Sequence, residues 1–174
     1  KGLNVVHYDP LTVNGIIGNI MNAGKILKRE KRAQRIVEKM KIKIKKAGMH
    51  IQKKKIRVYC EEWPGPPMAA GNWVVGMIQK AGGKGLLKQG ERSRKVSLAE
   101  VIRFKPDIVV LNWCGIGLKA DKKILRKRKG WEKIDAVKEG NIFVADDSLF
   151  NTPSQKIADG ILELSRIISS RKPQ

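Results

Sequence analysis

Apolar residues recur along this chain in two rhythms, and the change from one to the other divides it. Up to residue 47 the spacing is helical: Ile16, Ile17, Ile20 and Met21 form one stripe, then Ala33, Ile36, Val37, Met40 and Ile44 another. The first stripe predicts a helix capped by Asp9, with Pro10 at its first position where a missing N–H leaves nothing unpaired, and ended by Gly24. The second predicts a long helix over residues 29–46 stopped at Gly48. Its length, about 27 Å at 1.5 Å per residue, suits a spine joining two bodies.

Beyond residue 55 short apolar runs alternate with helical patterns. Residues 56–60 read as a strand, followed by a proline loop and a helix over residues 69–81 carrying Trp73, Val74, Met77 and Ile78, which the AGGKG turn ends. Ser97 and Glu100 form a capping box at the head of the next helix. The run DIVVL, residues 107–111, is the mark of a strand buried on both faces. A basic helix over 120–129 follows, with Trp131 and Ile134 packing after it, then a strand over 142–145. A last helix opens at a second capping box, Thr152-Pro153-Ser154-Gln155, and runs on Ile157, Ile161, Leu164 and Ile168. Strands alternating with helices of this length imply parallel pairing through right-handed crossovers. The fold class expected is α/β: a three-layer, Rossmann-like lobe with a short, mainly parallel sheet, preceded by a long spanning helix.

Composition narrows this picture. With 174 residues, 41% of them hydrophobic, the chain can bury one good core, and no run of about 18 apolar residues spans a membrane. The opening KGLNVVHYDP has neither a signal-type apolar segment nor a cleavage pattern and reads as a strand entered midway, so a fragment is expected. The formal charge is +21, concentrated in residues 25–57, which hold 15 Lys or Arg against two acids. A solvated helix face is the plain reading; the alternative is binding of nucleic acid or an anionic surface through that helix, by phosphate neutralisation. Cys60 and Cys114 form no CxxC pair, and with only His7 and His50 beside them there is no zinc site or disulfide scaffold; each closes a strand and reads as a buried small hydrophobe.

In an open parallel sheet ligands bind beyond the carboxyl ends of the strands. The segments there are Glu61-Glu62-Trp63 with Gly71-Asn72-Trp73, then Asn112-Trp113-Cys114-Gly115, then Asp146-Asp147 through Phe150-Asn151. Three of the four tryptophans and a phenylalanine thus gather at one edge beside amides and acids, the makings of a flat apolar platform with orienting hydrogen bonds. The turn Gly115-Ile116-Gly117 lacks the third glycine and the later acid of a dinucleotide site, so a Rossmann-like nucleotide-using enzyme is a weaker alternative. Ser97 is explained as a cap, Asp146-Asp147 as a turn, and no nucleophile stands near either histidine.

These phrases together resemble the class III solute-binding proteins of ABC importers, which capture cobalamin, ferric siderophores and haem. NVVHYDPLTVNGIIGNIMNAGKILKREKRAQRIVEKM is similar to the close of a first lobe and the helix spanning both lobes, and RVYCEEWPGPPMAAGNWVVGMIQKAGG to the opening strand, ligand loop and helix of a second. VSLAEVIRFKPDIVVLNWCGIG and AVKEGNIFVADDSLFNTPSQKIADGILEL are similar to its later phrases. The resemblance implies a remnant of the first lobe at 1–28, the spanning helix at 29–48 and the second, ligand-binding lobe at 49–174. It implies a binding protein and no enzyme, without a covalent cofactor, whose ligand is a metal chelate such as cobalamin or a ferric siderophore or haem. Trp63, Gly71, Asn72, Trp73, Asn112, Trp113, Phe150 and Asn151 would contact the ligand. Its partner would be an ABC permease dimer, docked through Glu100, and its place the extracellular face of the membrane or the periplasm; nucleic acid is set aside. The loop EEWPGPPMAAGNW is nearest the cobalamin-type branch, although the last loop has Ser148 and Thr152 where a cobalamin binder carries Asp and Arg, and Ala99 stands where the docking acid is first sought. A first-lobe remnant without its lobe would expose Ile16, Ile17 and Ile20, so pairing of two copies through that patch is expected.

Overall fold

The computed structural model describes residues 2–49 and 55–170. His50 lies outside the described residues.

Helix α1 (Val13–Ile26) is capped by Thr12, whose Oγ1 accepts the Gly15 N–H at 3.0 Å. Asp9, expected in that role, is instead paired with Arg92. Nor does Gly24 stop the helix. It lies where α1 crosses α2 (Glu30–Gly48), and a Cβ there would stand 2.4 Å from the Cβ of Ala33, so glycine is what lets the two backbones approach. The chain reverses at Lys28, in the left-handed region, before the 19 residues of α2 begin. Because α1 packs on α2 and α3 (Asn72–Lys80), Ile16 is buried, while Ile17 and Ile20 are partly covered by the same core. The apolar residues left in solvent here are Leu3, Val5 and Val6 with Ile26 and Leu27, so Ile16, Ile17 and Ile20 do not stand exposed as expected.

The proline segment is strand and not loop. Strand β1 (Ile56–Pro64) continues through Glu61, Glu62 and Trp63, turns at the cis Gly65-Pro66 peptide and returns as β2 (Pro67–Ala69). Trp63 pairs with Met68 and Pro64 with Pro67, so two of the prolines sit at the end of the ladder, where a lost N–H costs least. Strand β3 (Gly83–Gly85), inside the segment read as a turn, runs parallel to the first half of β1. Strand β4 (Arg94–Lys95) pairs antiparallel with β2. On the other side of β1 come β5 (Ile108–Leu111) and β6 (Ile142–Val144), both parallel. The order is β4-β2-β1-β5-β6, with β3 also on β1.

Alternation along β1 divides the core. Val58 and Cys60 face α1, α2, α3 and the last helix, α7 (Ile157–Ser169); Tyr59 faces α4 (Leu98–Phe104), α5 (Lys123–Lys127) and α6 (Asp135–Lys138) with Trp113 and Trp131. All four residues of β5 are buried, as its composition demands in a sheet covered on both faces. This is the expected three-layer α/β arrangement. The capping box of α4 is present, but that of α7 is not: α7 starts at Ile157, and Ser154 Oγ accepts the Lys156 N–H in the turn before it.

Replacing Gly24 by Ala drives one methyl into another and is expected to cost about 1–3 kcal/mol. Gly18→Ala, on a face of α1 with nothing within 4 Å, is expected to hold or raise the melting temperature. Thermal denaturation of both variants checks the pair.

Candidate ligand cleft

Past the carboxyl ends of β1 and β5 a concavity of about 230 Å³ opens between the β1–β2 hairpin, the start of α3 and the loop after β6. Trp63, half exposed on the hairpin, and Trp73, on the first turn of α3, contribute its aromatic walls, with Met68 beside Trp63 across the ladder. The Trp73 indole N–H donates to the carbonyl of Phe150 at 2.6 Å, which fixes the ring and ties α3 to the loop after β6. Phe150 closes the base of the concavity, its ring wholly buried, and Asn151 lies beside it.

Five of the eight expected ligand residues, Trp63, Asn72, Trp73, Phe150 and Asn151, therefore line one concavity. The other three stand behind it. Gly71 donates its N–H to Ser93 Oγ at 2.9 Å, and a Cβ on it would lie 2.4 Å from the backbone of Arg92 and Ser93: its smallness serves the chain. Asn112 is fully buried; its amide donates to Asn151 Oδ1 at 2.9 Å, while the Asn151 amide donates to the Asn112 carbonyl at 2.9 Å. This reciprocal clip holds the loops after β5 and β6 together. Trp113 is buried in the core, its indole N–H on Glu61 Oε1 at 3.0 Å.

Glu62, Met68 and Cys114 line the concavity as well, unassigned from sequence. Cys114, read as buried, is exposed, whereas Cys60 is buried, donates to Asn112 Oδ1 and has its thiol pushed well up by burial. Burial also raises the Glu62 carboxyl, partly offset by a hydrogen bond from Ser93. The Asn72 side chain, on a residue in the left-handed region, gives its amide to Ser93 Oγ at 3.3 Å, while its buried Oδ1 has no hydrogen-bond partner among the described residues. Among the described residues no Lys or Arg lines the concavity.

Beneath the hairpin lies a buried ion pair that no sequence pattern signals, since its partners stand 67 residues apart. Arg128 meets Glu61 through two hydrogen bonds of 2.9 and 3.0 Å and donates a third, at 2.8 Å, to the Pro64 carbonyl. Glu61 also accepts the Tyr59 hydroxyl at 2.9 Å, and the guanidinium stacks on Trp131 at 4.4 Å. Burial, and then the negative Glu61, push the Tyr59 hydroxyl far above its ordinary range.

Glu100 is occupied as a cap: its carboxylate accepts the Ser97 N–H at 2.9 Å and pairs with Arg94 at 3.0 Å, and these two contacts hold its pKa below the usual range. At the Gly115-Ile116-Gly117 turn, Asp147 Oδ2 accepts the Gly115 N–H at 2.7 Å, so a carboxylate sits where a phosphate would have to bind. Among the described residues no three His, Cys, Asp or Glu side chains gather to hold a metal ion, and no helix is long and apolar enough to cross a membrane.

A hairpin, a helix start and a strand-following loop sharing one concavity at the edge of a mainly parallel sheet agree with what whole-chain comparison finds. The family model described as periplasmic binding protein matches residues 1–149. The chain belongs to the periplasmic binding protein family. The structure is similar to that of a possible iron-binding (periplasmic solute-binding) protein from Staphylococcus epidermidis ATCC 12228, with 26% identity and a TM-score of 0.81 over 96% of this chain and 67% of that one. It is also similar to S. aureus IsdE complexed with heme, at 20% identity and a TM-score of 0.80 over 95% and 68% of the two chains. The vitamin B12 binding protein BtuF of Vibrio cholerae matches at 13% identity and a TM-score of 0.74, over 99% and 68%. The chain thus spans about two thirds of these relatives. Among curated proteins nothing matches.

Arg128→Met is expected to cost about 3–5 kcal/mol, because it strands the Glu61 carboxylate in the core, and Glu61→Gln/Arg128→Met together should cost less than Arg128→Met alone. Chemical denaturation of both variants checks this. For Glu62 the folded pKa lies above the unfolded one, so its ionisation opposes folding once the pH rises past both values and not below them. Glu62→Gln should accordingly raise the melting temperature at pH 7 and leave it nearly unchanged at pH 3, where both forms are neutral.

Proposed function

We propose that this chain forms the larger part of the substrate-binding component of an ABC importer, with residues 1–28 from a first lobe, 29–48 joining the lobes and 49–174 forming the second. The observation that carries the reading is the concavity at the sheet edge, walled by Trp63 and Trp73 with Asn72 and Asn151 also lining it. At about 230 Å³ it is smaller than the roughly 300–1,000 Å³ of complete small-molecule sites, as one wall of a two-walled cleft would be. Holding a ligand there needs contact and hydrogen bonding and no covalent step. Three ties prearrange this wall: Trp73 to Phe150, Asn112 to Asn151, and Arg128 to the hairpin. Little freedom remains to be lost on binding.

The ligand class is a metal chelate, in line with relatives named for heme and vitamin B12. Among the described residues no Lys or Arg lines the concavity, so the ligand surface received here is uncharged or amide-bearing and not carboxylate-rich. Cobalamin, with its uncharged peripheral amides, fits a wall of indoles and amide side chains better than haem or an anionic ferric siderophore. A permease dimer is the partner, on the extracellular or periplasmic side. Glu100 is the docking acid of this lobe, and a permease cation would have to share it with Arg94.

Tryptophan fluorescence titrated with cyanocobalamin, haemin and a ferric hydroxamate, corrected for ligand absorption, tests the reading. Saturable quenching strongest with cyanocobalamin is expected, and Trp63→Ala should weaken it about tenfold through lost ring contact. Equal, unsaturable responses to all three, unchanged by Trp63→Ala, would refute the binding-lobe reading.

A further inference from the structure

The solvent face of α2 is strongly basic and carries exposed apolar side chains. The helix buries Ala33, Val37, Met40 and Ala47 against the rest of the molecule and carries eight Lys or Arg against two acids. At 100° per residue, Lys31, Arg35, Lys39, Lys45 and Lys46 fall within about 60° of Ile42 on the opposite side. Glu38 shares that arc. Among the described residues the acidic partner of an α2 cation is Asp159, which takes Lys43 at 2.6 Å at the edge of the face and leaves its centre unpaired. Two apolar side chains on the cationic side stand in water: Ile42, amid the stripe, is 68% exposed, and Met49, at the C-terminal end of the helix, 75%. In the sequence Lys53, Lys54 and Lys55 follow after His50, Ile51 and Gln52.

We propose that this face is a membrane-surface contact: its lysines and arginines pair with anionic phospholipid headgroups while Ile42 and Met49 enter the boundary between headgroups and acyl chains. Charge complementarity identifies the partner as a polyanionic surface, and the apolar pair decides which. A basic face with protruding aliphatic side chains is the pattern of a helix lying in an interface. On a nucleic acid, Ile42 and Met49 would meet phosphate with nothing to gain, and no aromatic side chain stands in the arc to stack on bases. None of these residues lines the ligand concavity, so lipid contact leaves that concavity free. The inference does not depend on which ligand the concavity takes.

Flotation of the whole chain with vesicles tests it. The chain is expected to bind vesicles containing about 30% phosphatidylglycerol and not pure phosphatidylcholine, with each neutralised lysine on the face costing about fivefold in partitioning. Lys39→Gln/Lys45→Gln/Lys46→Gln should therefore lose about 100-fold, and raising the salt to about 0.5 M should release the parent chain. Ile42→Ser/Met49→Ser should weaken binding about tenfold at unchanged charge. Lys122→Gln/Lys123→Gln/Arg126→Gln removes as much charge from the other side of the sheet and should retain most of the binding. Circular dichroism on each variant confirms that these exposed substitutions leave the fold intact. Equal loss in the two charge-neutralised triples would reduce the effect to net charge and overturn the assignment to α2. Tighter retention on duplex DNA than on vesicles, abolished by the α2 triple, would overturn it in favour of nucleic acid.

Discussion

Glu61 is the charge around which this structure is arranged. A carboxylate with no exposure is tolerable in a core only when its lone pairs are taken, and here they are taken by Arg128, Tyr59 and Trp113 together. Because Arg128 also holds the Pro64 carbonyl, the same pair that neutralises the core anchors the hairpin carrying Trp63. Cation, ring and carboxylate form a continuous stack from Trp131 to β1, so the placement of the cleft wall is coupled to the packing on one side of the sheet.

The molecule separates its two chemistries in space. Its basic residues are spread over helix surfaces, most densely on α2, while the concavity at the sheet edge is aromatic and amide-lined. A formal charge of +21 is thereby compatible with a concavity that no described Lys or Arg lines. The separation also keeps the cations of α2 apart from the aromatic wall of the concavity.

Much of the fold was legible because the signals are local. The 3.6-residue stripes of α1 and α2, the Ser97 capping box and the all-apolar β5 each state their own environment, and the edge where the candidate residues gather follows from strand direction alone. The exceptions share a cause. Gly24 and Gly83 read as helix or turn punctuation but are small because another element presses on them, and Pro64 and Pro67 read as breakers but lie at the end of a ladder. At the site, chain position after a strand places Trp113 and Asn112 correctly at the edge, yet does not say which side of the sheet each side chain takes.

The amino-acid sequence by itself determined the α/β alternation, the long basic helix, the family and the cluster of aromatic residues at one sheet edge, since each depends on spacing or composition within a short window. Tertiary structure alone decided that Trp63 and Trp73 wall the concavity while Trp113 serves the core, that Asn112 clips a loop and Asn72 keeps a free acceptor, and that Glu61 finds Arg128. Those assignments rest on contacts between residues 21 to 77 positions apart, and pairings at that range are set by how the layers close on one another.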